Sequence, residues 1–246
     1  MPQFSDDLFL GAAYTNMGMK STYPSPMSLG VGPLGRIYVW DSVPVAKGAA
    51  NVAAASVWTS AITLTAGTGT TSVVRADGTT VIQFDQARAV SVTLGSGSPT
   101  SRVVTVTGYD VYGQPMSEAI TTGTTPSTTV NGKKAFYQVA TATISGSPVV
   151  TVSLGTSDVL GLPVSVTSGS YLASVLYAGA FTTDGGTFVA ADTTSPATTT
   201  TGDVRGTYVP SAATNGTNRL VVGILLTGIA TGPNATRAGA LGVTQA

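Results

Sequence analysis

The stretch Ala89-Val90-Ser91-Val92-Thr93-Leu94 places apolar and small polar residues at every second position. Val104-Thr105-Val106-Thr107 repeats the pattern, and Ala61-Ile62-Thr63-Leu64-Thr65 does so upstream. A period of two sends alternate side chains to opposite faces of an extended chain, so each run reads as a half-buried strand. Thr and Val dominate these runs, and their branched Cβ atoms pack well on a pleated surface. Gly, Pro, Ser or Asn clusters bound each run and mark turns. Helical periodicity is nearly absent. The best helix candidate, 49–60, holds Val52, Val57 and Trp58, which suit a strand equally well.

Working outward, the runs fall into an all-β pattern: an antiparallel β-sandwich, Ig-like or jelly-roll-like, with an extended N-terminal arm. Residues 1–45 form the expected arm. They hold Pro24, Pro26, Pro33 and Pro44, which withhold backbone donors from a ladder, together with Phe4, Leu8, Phe9 and Tyr14. Residues 46–155 form the expected sandwich. Hairpins are expected for 73–75 with 80–84 around Asp77-Gly78, for 102–109 with 115–121, and for 135–144 with 149–154 across Ser145-Gly146-Ser147-Pro148. Residues 156–246 form a second β block, either a separate small domain or the completion of the sandwich. Asp158 to Pro163 reads as its connector, 192–201 as a long exposed loop, and 231–246 as a fraying end.

Composition narrows the chemistry. The 246 residues include no Cys and no His, so thiolate and imidazole catalysis and the usual transition-metal ligands are excluded. Eleven basic residues balance eleven acidic ones, and only 9% of residues are charged. A nucleic-acid binder needs a basic face, and a polybasic membrane anchor needs a basic cluster; neither is expected here. No apolar run approaches the ~20 residues of a membrane-spanning helix. The opening residues carry two acids and no basic stretch, unlike a secretory signal.

The remaining candidate sites read as structural. The acids Asp77, Asp85, Asp110, Glu118, Asp158, Asp184, Asp192 and Asp203 are scattered, and none pairs by spacing as in a glycosidase. Asp184-Gly185-Gly186 with Asp192 lacks the alternating acids of a calcium loop and reads as a turn. Lys133 and Lys134 follow Asn131-Gly132 and read as a solvated hairpin turn. The sharper reading is a Lys–Asn isopeptide link, which needs a buried lysine beside an acid. No catalytic residue, cofactor or metal is expected. Trp40 and Trp58 read as anchors of a core or an interface.

Three segments carry a resemblance: 104–118 (V-T-V-T-G-Y-D-V-Y-G-Q-P-M-S-E), 158–163 (D-V-L-G-L-P) and 202–211 (G-D-V-R-G-T-Y-V-P-S). They resemble segments of small all-β structural proteins of tailed bacteriophages, head decoration (cement) proteins in particular. The resemblance implies a non-enzymatic virion protein on the capsid exterior. Its partners would be the major capsid protein and neighbouring copies of itself, as a homo-oligomer such as a trimer. The arm would lie along the shell, with Phe4, Leu8, Phe9, Tyr14, Tyr38 and Trp40 as the partner-binding anchors. A tail, neck or fibre component, or a bacterial surface or carbohydrate-binding β-sandwich, is the alternative.

Overall fold

The computed structural model describes residues 35–194 and 197–227. The chain is all-β, and among the described residues every strand pair is antiparallel. In chain order the strands are β1 (Gly35–Ser42), β2 (Gly48–Ser56), β3 (Ala61–Ile62), β4 (Thr70–Val74), β5 (Thr80–Leu94), β6 (Val103–Tyr109) and β7 (Pro115–Thr121). They continue with β8 (Thr129–Ile144), β9 (Val152–Gly161), β10 (Leu172–Tyr177), β11 (Thr187–Val189), β12 (Thr207–Val209) and β13 (Leu220–Thr227). The helix candidate at 49–60 resolves as β2.

The large sheet runs β11-β12-β9-β5-β8-β6-β7, with β2 added to β9, β3 to β8 and β4 to β5. The two long strands, β5 and β8, carry register shifts where their partners change. Such irregularities bend a strand and let a sheet curl into a sandwich-like body. The hairpins expected around Asp77-Gly78 and between 102–109 and 115–121 form, as β4–β5 and β6–β7. Gly78 and Gly113 supply the left-handed turn residues, with φ of 83° and 77°.

The third expected hairpin does not form. β5 lies between β8 and β9 and pairs with both. Burial explains the choice. The first seven residues of β9 are all buried, so it suits an interior position covered on both faces. The turn between β8 and β9 is also wider than a hairpin loop, and Val149 within it has a φ of 72°, outside any strand.

Two apolar clusters hold the fold. The first gathers Phe84, Leu94, Phe136, Leu154 and their neighbours from β2 to β9, with Trp58 packed at its border. Fully burying each such side chain contributes roughly 1.5–3 kcal/mol before ordering costs. The second cluster contains Leu160, Leu162, Val175, Tyr208, Leu220, Val222 and Ile224, with Trp40 packed on it. β9 feeds both clusters, through Leu154 and Leu160. Asp158 to Gly161 is thus a buried strand end and not a loose connector.

A small sheet, β1-β13-β10, covers the second cluster. Its existence places residues 35–42 of the expected arm inside the fold: Gly35 pairs with Thr227 and Ser42 with Leu220. The 192–201 segment is exposed at Thr193, Thr194, Thr198 and Thr200, as expected of a loop, but it is tied to the fold at two points. Ala197 is buried, and the Thr199 carbonyl accepts from Ala119 N–H of β7 at 2.7 Å.

Candidate functional site

Of the six anchor residues, Phe4, Leu8, Phe9 and Tyr14 lie outside the described residues. Tyr38 and Trp40 share the inner face of β1, two positions apart. Trp40 is half-buried on the second cluster, while Tyr38 stays 40% exposed. Trp40 therefore anchors a core, and Trp58 does the same in the other cluster, donating from Nε1 to the Val152 carbonyl at 3.0 Å.

The outer face of the small sheet is a different surface. Ile37 and Val39 of β1, Val221 and Leu225 of β13, and Leu176 of β10 lie side by side there in register. Val39 is 60% exposed and the other four are half-buried. The Asp41–Arg219 ion pair sits at the rim. The far edge of β1 has no strand partner among the described residues. An open edge next to an apolar face is a template for a second chain. Sequence reading missed this face because its residues come from strands almost two hundred positions apart.

Three buried polar clusters lie deeper. In the first, Arg88 donates to the Val45 carbonyl at 3.0 Å and to Thr214 Oγ1 at 3.1 Å. Thr214 N–H and Oγ1 lie 3.2 and 2.7 Å from Asp158 Oδ1, and Lys47 Nζ meets Asp158 Oδ2 at 2.7 Å. This network ties the segment after β1 to β5, β9 and the approach to β13. In the second, Arg205 Nη1 donates to Asp110 Oδ2 at 2.8 Å, with both side chains buried. Asp110 Oδ1 accepts from Tyr112 and Gln114 N–H at 2.8 Å each, which shapes the β6–β7 turn. The Tyr112 hydroxyl donates to the Pro163 carbonyl. The three segments that carry the phage resemblance thus converge in space.

The third cluster corrects the reading of Lys133-Lys134 as a solvated turn. Both lie in β8, and Lys134 is fully buried. Its ammonium donates to the Thr198 carbonyl at 2.5 Å. Glu118, reaching from β7, is also buried; its Oε1 accepts from Lys133 N–H at 2.5 Å and its Oε2 from Lys134 N–H at 3.3 Å. Asp203 Oδ2 accepts from Ala135 N–H at 2.9 Å. Two carboxylates therefore terminate three consecutive amides of β8 where the β6 ladder has ended. Gly132 is a glycine for this reason and not for a turn. A Cβ there would stand 2.5 Å from Glu118 Oε2.

Burial pushes the Glu118 carboxyl up to about 7, although the Lys133 and Lys134 amides and the Lys134 charge pull it down. Burial also pulls the Lys134 ammonium down, against the Glu118, Asp203 and Asp192 charges. Glu118 keeps its proton in the folded state between its ordinary 4.5 and about 7, where the unfolded chain has lost it. Its contribution is therefore present below that window and declines as pH rises through it. We expect unfolding stability to fall from about pH 5 to about pH 8, with a shallower fall in Glu118→Gln. Denaturant midpoints across that range test this; identical slopes in both proteins would refute it. Asp192, held down to about 2 by hydrogen bonds from Thr194 and Gly202, acts only below this window.

The remaining acids are engaged in local structure. Asp184 accepts from the Tyr208 hydroxyl at 2.7 Å and from Ser211 N–H at 3.0 Å. Asp192 caps Thr194 and Gly202. Among the described residues no group of three or more acids converges as a metal site. A cavity of about 690 Å³ beside β3 and β4 is lined by Ala, Ile, Leu, Thr and Ser without an ionisable group. A smaller cleft of about 290 Å³ is bordered by Glu118, Asn131, Lys133 and Thr200.

Comparison with protein-family models, with curated proteins and with solved structures finds no match for this chain.

Proposed function

We propose that this chain is a non-enzymatic structural protein of a tailed-phage particle, a head decoration protein that binds the outer capsid surface and stabilises it. The observation that carries this reading is the outer face of the small sheet. It is apolar, one edge of it is open, and segments 1–34 and 228–246 both join the fold at its end, where Gly35 faces Thr227. An apolar sheet face beside an open edge suits attachment to a regular lattice. Phe4, Leu8, Phe9 and Tyr14 add apolar area in the segment leading to that face. Apolar contact contributes about 25 cal/mol per Å² before ordering costs, and repetition over a shell multiplies weak contacts. The partners are the major capsid protein and neighbouring copies of this chain. Near-zero net charge and sparse charge favour a protein held in an assembly over one kept apart by repulsion. The buried acids support a structural role, since they terminate backbone donors and ion pairs.

The test is occupancy on purified particles, by quantitative mass spectrometry against the major capsid protein. Decoration predicts a copy number equal to that protein's or a simple fraction of it. A few per cent would move the chain to the tail or a unique vertex, and absence would sink the virion reading. Deleting residues 1–30 is expected to abolish shell binding while leaving a folded β domain, since the deletion spares β1 from Gly35 onward. Full occupancy by the truncated chain would refute the role of the arm.

A further inference from the structure

The Lys134–Glu118–Asp203 cluster has features that a structural ion pair does not need. An amine and two carboxyls are enclosed together: Lys134 is 0% exposed, and Glu118 and Asp203 are 3% each. Both carboxyls are pinned to adjoining amides of β8, so neither can swing to solvent. Asp203 is held on its other side as well, since its Oδ1 accepts from Arg205 N–H at 2.9 Å. Lys134 Nζ is steered by the Thr198 carbonyl, which belongs to the same segment that leads into Asp203. Taking charges out of water favours their neutral forms, and a proton passed from an ammonium to a carboxylate neutralises both. A neutral amine beside a neutral carboxylic acid is a reactive pair held at high effective concentration.

We propose that Lys134 and Asp203 join in an intramolecular isopeptide bond, with Glu118 as the proton carrier. The ammonium of Lys134 first gives one proton to the Asp203 carboxylate. The Lys134 Nζ lone pair then forms a bond to Asp203 Cγ. Glu118, which carries its proton in this buried setting, gives it to the departing hydroxyl and takes the nitrogen's surplus proton in its place. The Cγ–O bond breaks, one water leaves, and an amide remains. One ammonium and one carboxylate become one amide and one water, so atoms and charge balance without oxidant or cofactor. The cleft that Glu118 borders gives the water an exit. The bond would staple β8 to the strand-leading segment before β12. That joins the large sheet's middle to the loop that closes over it, a useful device in a chain without cysteine.

The experiment is the intact mass of the purified full chain, followed by digestion at aromatic residues and fragmentation. The expected mass is one water, about 18 Da, below that of the sequence, with a branched peptide joining the pieces that carry Lys134 and Asp203. Glu118→Gln and Lys134→Met are expected to restore the full mass. Dehydration at Asp77-Gly78 or Asp184-Gly185 would give the same loss, but in linear peptides. Full mass in the folded parent chain, or a loss found only in linear peptides, would overturn the proposal whether or not the variants fold.

Discussion

Asp110→Ala is expected to destabilise the protein by about 3–5 kcal/mol, the cost of stranding one member of a buried ion pair. Asp110 and Arg205 are 2% and 1% exposed, so water cannot replace the lost partner. The asymmetry between the two partners sharpens the expectation. Arg205 Nε and Nη2 find no acceptor among the described residues, so Asp110 is the acceptor on which its charge depends. Removing Asp110 also releases the Tyr112 and Gln114 amides of the β6–β7 turn. Arg205→Met should cost less, because Asp110 keeps those two donors. The double variant should lose less than the sum of the singles, as interacting neighbours do. Urea unfolding of the three variants tests this. A loss under about 1 kcal/mol for Asp110→Ala would mean that the buried pair does not form. Total stability of a domain is of the order of 5–15 kcal/mol, so the expected loss is a large share.

Gly155→Ala is expected to be nearly as damaging, for a steric reason. Gly155 sits in β9 where β2 crosses against it, and a Cβ there would stand 1.8 Å from the Gly48 carbonyl oxygen. The opposing atoms are backbone, so no side chain can swing aside. β2 would have to lift from β9. That would break the Asn51 bonds to Thr156, at 2.9 Å through both its amide nitrogen and its oxygen, which bridge the irregular β2–β9 register. We expect a loss of about 3 kcal/mol or more, at the upper end of overpacking effects. Gly78→Ala is the control. It has a positive φ but open space around it, and should cost only the ~1–2 kcal/mol of a left-handed alanine. Thermal unfolding of both separates the causes; equal midpoints would rule out the close crossing.

Two of the three expected hairpins, and the strands themselves, were legible because their causes are local. Alternation at 104–107 buries one face and leaves the other half-buried, and β6 shows that pattern residue by residue. Asp77-Gly78 sets its own turn geometry. Lys134 was misread for an equally local reason. Asn-Gly before two lysines carries turn chemistry, and only the approach of Glu118 from another strand gives Gly132 its actual role.

The amino-acid sequence by itself determined the class: an antiparallel all-β chain, free of thiol and imidazole chemistry, with strands at 102–109 and 115–121 joined by a turn. Side-chain period and turn residues act over a few positions, so these features need no knowledge of the rest of the molecule. Only the tertiary structure decided that β5 separates β8 from β9, that β1 closes on β13, and that Lys134, Glu118 and Asp203 are buried together. Backbone ladders are nearly blind to residue identity, so which strands become neighbours is settled by the burial of the whole chain. That choice also sets which distant charges must find one another there.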